Sequence, residues 1–431
     1  MLAFLLSAGM LATAAEPADA EAALADRVTQ LVKQLDAQQL VDRDQAERAL
    51  LALGDAALPL LPQVDDDTPA EVALRLGRVQ QKLLEAQALA AANPSVVTLS
   101  GKQMPLADVL AEIQKQTGNT IVDYRADLGQ EPTDAKLDVD FDKTPFWKAL
   151  DDVLDQANLA LYPYSGEEGA YVVNQTGRNA PDRERIVYSG IFRLEPVRIE
   201  AARDLRGGDM QSLRLYVEIT WEPRLQPFAM LQPFDEVTAS DESGRPIAVT
   251  AMNAMPEATI RAGMSAIELE IPLELPDRDT KKIASLKGKL LALVPGPTQD
   301  FRFTSLKTSD RNTPAPRMSQ RKAGATVSID RLRKNNAAWE LRMRVKFDSP
   351  STALESHRGW ILDNDVFFVN AEGRQFMPGG FEQSRQANDE VGINYYFDLP
   401  DGPNNLDLVY RTPIAVLETS IEYELRDLPL P

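Results

Sequence analysis

The chain of 431 residues contains no cysteine and a single histidine, His357. Without thiols it forms no disulfide, iron–sulfur cluster, Cys-type zinc site or thiol nucleophile, and it carries no lipid-modified cysteine. No second histidine and no Gly-x-Ser-x-Gly segment accompanies His357, so a surface histidine is favoured over a catalytic one. Walker and dinucleotide glycine patterns are missing too. We therefore predict a protein that is not an enzyme and binds no cofactor.

The chain also has fewer positively than negatively charged residues. It contains 46 Lys and Arg residues and 65 Asp and Glu residues, which gives a net charge of −19. Nucleic acids require clustered Lys and Arg, so binding to DNA or RNA is not expected. Long apolar runs are absent beyond the N-terminus, and we predict no transmembrane span. The length predicts about three domains.

The N-terminal residues 2–14 are apolar or small, which is typical of the apolar region of a signal peptide and too short to cross a bilayer. Ala12, Ala14 and Ala15 supply the small side chains that a cleavage site needs. Residues 1–15 are therefore predicted to be a signal peptide that exports the chain to the periplasm or cell envelope. No Lys or Arg precedes Leu2, which leaves the true start of translation open, and a buried first helix is the alternative.

Residues 16–95 are predicted to be helical. Apolar periodicity indicates helices at 22–35, 44–53 and 69–91, with Gly54 just after the second. The segment RDQAERALLALGDAALPLLPQ followed by TPAEVALRLGRVQQKLL resembles a HEAT-like helical repeat. An acidic run, Asp65 to Asp67, is better explained as a loop and helix cap than as a metal cluster.

Residues 96–175 alternate between strands and helices in the order βαββαββ. The strands are predicted at 96–100, 119–124, 135–141, 160–165 and 170–174, and the amphipathic helices at 105–118 and 145–159. This order of elements and the sequences of these segments resemble the secretin and TonB short N-terminal domain, a periplasmic interaction module of secretion channels and outer-membrane receptors. The resemblance implies a periplasmic interaction role. Because no channel ring, plug or barrel follows, channel or transport activity does not carry over.

After a polar linker at 175–184, alternation of period two predicts antiparallel strands. A second linker at 308–322 divides two segments that match in the same order: 213–223 with 339–350, 236–247 with 365–376, and 267–277 with 393–401. We predict two tandem β-sandwich domains, at 185–306 and 323–431. The expected fold class is thus α+β multidomain: a helical segment, a small βαββαββ domain and two antiparallel β-sandwiches.

Two features of the small domain suggest binding. Asp138, Asp140 and Asp142 alternate along one strand, and a solvated sheet face is favoured over a Ca²⁺ site, so no metal is predicted. Tyr162, Tyr164 and Tyr171 are a candidate interaction surface, although packing in the core and at the sheet edge is favoured for these tyrosines. Trp147, Trp221, Trp339 and Trp360 are expected in or beside packed elements.

The exposed edge of the small sheet is the better candidate, because an unpaired strand accepts a partner strand by β-augmentation. We therefore expect a non-enzymatic exported adaptor that binds envelope proteins, associated with an outer-membrane or secretion-type assembly. The alternative is a carbohydrate- or cell-wall-binding protein that uses the β-sandwiches and binds polysaccharide. A hydrolase with carboxylate catalysis is the weakest of the three hypotheses.

Overall fold

The computed structural model describes residues 17–62, 64, 68–132, 135–177, 181–203, 211–309, 317–322, 324–347, 359–387, 389–413 and 416–431. The fold is α+β, as predicted, with helices first and antiparallel sheets after them. The chain divides into two compact units between Gln87 and Ala88. None of the helices in the described part is long and apolar enough to cross a membrane.

The first unit is helical. Gly54 has a φ of 69°, which glycine adopts without strain, and it follows the second helix as predicted. Arg75 is buried and pairs with Asp44, Glu47 and Glu71 at 2.9, 2.8 and 2.6 Å. These ion pairs connect the helix at 40–52 to the helix at 70–91. The helices are α1 (Pro17–Gln34), α2 (Leu40–Ala52), a 3₁₀ helix (Gly54–Leu60) and α3 (Ala70–Ala91), the last of which extends into the second unit.

The second unit begins with the small domain, whose βαββαββ order is as predicted. Its two helices cover a core of aliphatic and aromatic side chains. One sheet pairs β1 with β3 antiparallel, and the other has the order β2-β5-β4, with β2 and β5 parallel. The elements are β1 (Val96–Pro105), α4 (Leu106–Thr117), β2 (Ile121–Asp123), β3 (Lys136–Pro145), α5 (Phe146–Ala157), β4 (Leu159–Leu161) and β5 (Ala170–Asn174).

Strand β4 is shorter than the predicted 160–165 and ends at Leu161. The reason lies two residues further on, where Pro163 has no N–H to donate to a ladder. Tyr162 still donates its backbone N–H to the Tyr171 carbonyl at 2.8 Å, so the chain separates from β5 only after that residue.

The small domain is built from two similar halves. The unit β1–α4 recurs as β3–α5 with an offset of 40 residues, so that Pro105 corresponds to Pro145. Both halves contain a left-handed residue before that proline, Gln103 at φ 53° and Lys143 at φ 48°. Each helix also ends on a left-handed residue, glycine in the first half and asparagine in the second. The same backbone turns therefore shape both strands and both helices.

Two β-sandwiches follow the small domain. The first packs the sheet β13-β8-β7-β6 against the sheet β11-β10-β14-β9-β12, with one continuous apolar core between them. Its strands are β6 (Val187–Ser189), β7 (Phe192–Arg203), β8 (Gln211–Trp221), β9 (Ala229–Leu231), β10 (Thr238–Asp241), β11 (Pro246–Ile247), β12 (Glu257–Thr259), β13 (Ala266–Leu273) and β14 (Lys282–Pro295).

The second sandwich packs the sheet β16-β17-β18-β22-β21 against β15-β23-β19-β20. The rings of Phe368 and Phe397 meet at 4.7 Å across its core. Its strands are β15 (Thr298–Phe303), β16 (Met318–Lys322), β17 (Ala325–Asn335), β18 (Ala338–Phe347), β19 (Val366–Val369), β20 (Gln375–Phe376), β21 (Pro378–Gln386), β22 (Glu390–Phe397) and β23 (Asp407–Pro413). Short 3₁₀ helices lie at Arg183–Arg185, Phe234–Glu236 and Gly359–Asp363.

The segments matched in the sequence occupy equivalent places in the two sandwiches. Strand β8 corresponds to β18, β13 to β22, and the hairpin β10–β11 to β19–β20. The two sandwiches are nevertheless not separate in the chain. The last strand, β24 (Val416–Pro429), returns to the first sandwich and pairs with β14 along its whole length, whereas β15 pairs with β23 of the second.

The predicted domain boundaries at 306 and 323 are therefore wrong. Strand β15 precedes 306 but belongs to the second sandwich, and β24 follows 323 but belongs to the first. A two-residue hairpin between β14 and β15 needs left-handed backbone. Gly296 is not among the positive-φ residues, and Pro297 follows it, so the chain runs on into the other sheet.

Candidate interaction surfaces

The structure brings the three predicted tyrosines together and adds a fourth. Tyr162 stacks on Tyr124 with ring centroids 5.8 Å apart, Tyr171 meets Tyr124 edge-on at 5.2 Å, and Tyr164 meets Tyr162 edge-on at 6.2 Å. Tyr124 follows β2, Tyr162 and Tyr164 follow β4, and Tyr171 lies in β5, so the three-stranded sheet brings all four together. The sequence hypothesis missed Tyr124, which stands alone at the end of its strand.

Only part of this cluster is open to a ligand. Tyr171 is buried and donates its hydroxyl to Glu167 at 2.8 Å, whereas Tyr164 is 68% exposed. The Tyr164 hydroxyl donates to Glu218 Oε2 at 3.2 Å. Burial and the charge of Glu218 raise the pKa of Tyr164 to about 12, so this hydroxyl stays protonated and acts as a donor at neutral pH.

Beside Tyr164, three glutamates lie in one row across the first sandwich. Glu195, Glu218 and Glu268 are direct cross-strand neighbours on β7, β8 and β13. Like charges placed opposite each other destabilise a sheet. Burial and the charge of Glu195 raise the pKa of Glu218 above its usual range. Arg193 and Arg198 partly offset this repulsion, pairing with Glu195 at 2.7 Å and with Glu268 at 3.2 Å.

A buried ion-pair network fixes the small domain to the first sandwich. Asp151 of α5 accepts from Arg193 Nε at 2.9 Å and from the Tyr188 hydroxyl at 2.6 Å, and Arg183 lies 2.5 Å from its other oxygen. Asp151 and Arg193 are both almost completely buried. Next to them, the Trp147 indole N–H donates to the Ile191 carbonyl at 2.9 Å.

A second buried carboxylate holds the start of β1. Glu222, which is fully buried, accepts from the backbone N–H and the hydroxyl of Ser95 at 2.9 and 2.7 Å, and from Asn119 at 3.2 Å. Arg224 Nε donates to the same carboxylate at 2.6 Å and its Nη2 donates to the Asn93 carbonyl at 2.6 Å. The small domain is thus held at two polar points and presents its remaining surface in a fixed orientation.

That remaining surface contains an open groove between β3 and α5. The groove has a volume of about 470 Å³ and is open to solvent along one side. In the described residues no strand pairs with this edge of β3, whose other edge pairs with β1. The lining residues are Asp138, Val139, Asp140, Phe141 and Thr144 of β3 with Lys148, Asp152, Asp155 and Gln156 of α5.

The backbone of β3 faces this groove at alternate residues. The Asp138 N–H donates to Gln156 Oε1 at 3.2 Å, so the backbone N–H of Asp138 points towards α5, while its carboxylate accepts from the Gln103 N–H of β1 at 2.8 Å. Successive residues of a strand point to opposite edges, which places the N–H and C=O of Asp140 on the groove side as well. Asp140 therefore offers a donor and an acceptor to an incoming strand.

The equivalent edge of β1 is closed more completely. Gln116 of α4 accepts from the Thr98 N–H at 2.9 Å and donates to the Thr98 carbonyl at 3.0 Å. Gln116 and Gln156 correspond in the two halves, as do Thr98 and Asp138. Gln116 thus satisfies both the N–H and the carbonyl of Thr98 on β1, whereas Gln156 satisfies only the N–H of Asp138 on β3.

The predicted solvated face of β3 is confirmed. Asp138, Asp140 and Asp142 are exposed, whereas Leu137, Val139 and Phe141 on the other face are buried against the helices. Within the described residues, no group of three or more His, Asp or Glu side chains is arranged to hold a metal ion.

The remaining candidates divide into packed residues and residues outside the described part. Trp147, Trp221 and Trp360 are buried, and Trp339 is half-buried. Trp360 stacks on Phe228 of the first sandwich at 4.6 Å. The residues that lie outside the described part are Ala12, Ala14, Ala15, Asp65, Asp66, Asp67 and His357.

Comparisons with known proteins do not assign the chain to a family. No family model and no curated protein matches the chain. Among solved structures, a conserved domain protein from Bacillus anthracis aligns at 8% sequence identity with a TM-score of 0.16, over 58% of this chain and 95% of that one. A TM-score this low carries no argument about fold or function.

Proposed function

We propose that the chain is an exported, non-enzymatic adaptor of the cell envelope, which holds an extended segment of a partner protein along the free edge of β3. The observation that carries the proposal is the groove between β3 and α5, where the strand edge has no neighbour in the described residues. The resemblance of residues 96–174 to a periplasmic interaction module supports the compartment and an outer-membrane or secretion-type assembly as the setting.

The physical reason is that an unpaired strand edge offers backbone donors and acceptors to any extended chain. Proteins normally block such edges. On β1 the block is Gln116, which satisfies both backbone groups of Thr98. On β3 the block is weaker, because Gln156 bonds the Asp138 N–H alone, and the backbone groups of Asp140 lie beyond its reach. The groove beside it accommodates the side chains of an added strand.

The rest of the second unit supports the role of a scaffold. The buried pair Asp151–Arg193 and the buried Glu222 attach the small domain to the first sandwich. The exchange of β15 and β24 joins the two sandwiches to each other. A site on a rigid support loses little conformational entropy when it binds, which favours affinity for a flexible segment.

The test is in-cell photo-crosslinking from two matched positions. A photo-crosslinking amino acid replaces Asp140 on the groove edge or Ser100, its counterpart on β1 and its direct cross-strand neighbour. We expect a protein adduct from the Asp140 position and little or none from the Ser100 position. Equal adducts from both positions, or recovery of envelope polysaccharide alone, would contradict the proposal.

A second function, polysaccharide binding, is favoured only by the Tyr164 ring, which is 68% exposed beside Tyr162. Sugars stack on exposed aromatic faces, and the buried Trp360 offers none. Retention of the purified protein on peptidoglycan, lost in Tyr164→Ala and kept in Asp140→Lys, would support this second function over the first.

A further inference from the structure

We infer that the segment received by the β3–α5 groove is basic: an extended peptide that carries Lys or Arg on both of its faces. This inference rests on the proposed function and names the chemistry of the partner. Its basis is the placement of carboxylates around the groove, combined with the geometry that an added strand must adopt.

The groove is acidic on both sides. Its lining includes four carboxylates and one ammonium group, that of Lys148. Asp138 and Asp140 project from the solvent face of β3, and Asp152 and Asp155 project from α5 on the opposite side of the edge. Arg183 pairs with Asp155 at 2.7 Å and neutralises one of the four. The described surroundings therefore leave an excess of negative charge around the groove.

The carboxylates on α5 also repel each other. Burial, followed by the charges of Asp155 and Asp151, raises the pKa of Asp152 in spite of the opposing effect of Lys148. A cation placed in the groove would relieve this repulsion, since opposite charges within a few ångströms favour the ionised carboxylate. An acidic or phosphorylated segment would increase the repulsion instead.

The geometry of strand addition brings cations to both sets of carboxylates. Side chains of an added strand alternate between the two faces, and those opposite Asp140 lie within the distance of a cross-strand pair. Residues of one parity meet Asp138 and Asp140, and residues of the other parity meet Asp152 and the apolar floor formed by Val139 and Phe141. A segment with Lys or Arg at neighbouring positions satisfies both sides.

The other half of the small domain serves as an internal comparison. At the positions equivalent to Asp138 and Asp140, β1 has Thr98 and Ser100, and at the position of Asp155, α4 has Lys115. The β1 edge is thus both less acidic and more completely closed by Gln116. Asp108 and Glu112 stand at the positions of Lys148 and Asp152, so the first half is acidic on its helix only, whereas the second half is acidic on both strand and helix.

The test measures binding of short fluorescent peptides to the full chain by anisotropy. One peptide contains pairs of neighbouring lysines separated by threonine and valine, so that lysines lie on both faces of the strand. A second replaces each lysine with glutamate, and a third keeps the lysines but carries N-methyl groups along its backbone. We expect the basic peptide to bind, with an affinity that falls as salt is added, and the acidic peptide not to bind. The N-methylated peptide should lose binding because it cannot pair with the edge of β3.

The matched variants separate the groove from overall charge. Asp140→Lys/Asp152→Lys should weaken binding of the basic peptide by about tenfold or more, because several exposed ion pairs are lost together. Glu274→Lys/Asp279→Lys makes the same change in net charge at exposed positions of the first sandwich and should leave binding within about twofold. Unchanged circular dichroism spectra establish that both variants are folded.

Each alternative outcome contradicts one statement. If the acidic and basic peptides bind equally and N-methylation abolishes binding, strand addition stands and the basic partner is wrong. If the basic peptide binds equally well with or without N-methyl groups, the attraction is electrostatic alone and strand addition fails. If no peptide binds, or if the control variant loses as much affinity as the groove variant, the inference is overturned.

Discussion

Asp151 and Arg193 form a buried ion pair, in which each charge is stabilised by the other because water does not reach them. Both side chains are only 2% exposed, and their oxygen and nitrogen lie 2.9 Å apart. Two charges removed from water are tolerated because each satisfies the other, together with Tyr188, Arg183 and Glu195. Removing one partner leaves the other buried and without its most deeply buried counter-charge, so the attachment of the small domain depends on the pair.

We expect Arg193→Met to lower the free energy of unfolding by about 3 kcal/mol, because Asp151 then stays buried without its main partner. Denaturant titration of the full chain measures this loss. The double variant Arg193→Met/Asp151→Leu should recover a large part of it, since neither of the two almost fully buried charges remains. A single variant as stable as the original chain would show that water reaches Asp151, and the network would not be the attachment described here.

The row of glutamates predicts a dependence on pH. The folded pKa of Glu218 is raised above its unfolded value, chiefly by burial and by Glu195. Its protonated form therefore favours folding at acidic pH, and this contribution is lost as the pH rises through the folded pKa. Glu218→Gln should raise the thermal midpoint at pH 7.5 and change it little at pH 4. An equal effect at both values would contradict the assignment.

At the scale of elements, local pattern predicted much of what the structure contains. The βαββαββ order follows from apolar periodicity, and the exposed Asp138 and buried Val139 follow from alternation along β3. The 40-residue repeat is also present in the sequence, because Pro105 and Pro145, and Gln116 and Gln156, recur with the same spacing, but it is not among the features predicted above. The Tyr124 contact and the groove depend on packing between distant segments, which local pattern does not specify.

The pairing of strands across the two sandwiches was beyond such reasoning. Alternation shows that β14 and β24 are strands but not which strand each one joins, because every extended segment offers the same backbone groups. The short connection after β14 indicates the exchange, because Gly296 and Pro297 do not form the turn that a hairpin between β14 and β15 needs.

The strand exchange predicts a specific crosslink. The chain has no cysteine, so Leu291→Cys/Ser420→Cys introduces the only thiols, on directly opposed residues of β14 and β24. We expect a disulfide within a single chain under mild oxidation, since opposed strand residues are close enough for one. Gel mobility without reductant detects it.

The control pair is Leu291→Cys/Arg302→Cys, which a hairpin between β14 and β15 would bring together and the exchanged arrangement does not. If the control pair forms the disulfide and the first pair does not, the strands return to their own sandwiches. Disulfides found only in dimers would instead place the exchange between two copies.

At the scale of the whole chain, the second unit combines the accessible edge of β3 with several contacts that hold it in place. The buried carboxylates Asp151 and Glu222 fix the small domain, and the exchanged strands β15 and β24 fix the sandwiches. The acidic groove at β3 is where these supports leave backbone groups accessible. This arrangement suits a protein that presents a binding edge to a partner.

The most direct test of this account places the photo-crosslinker at Asp140, Ser100 and Tyr164 in parallel and compares adduct yields in cells. The account predicts a discrete protein adduct from the Asp140 position that exceeds the yields from the other two. It also predicts that Asp152→Lys reduces this adduct. A dominant adduct from Tyr164 or Ser100, with none from Asp140, would contradict the claim that the edge of β3 is the binding site.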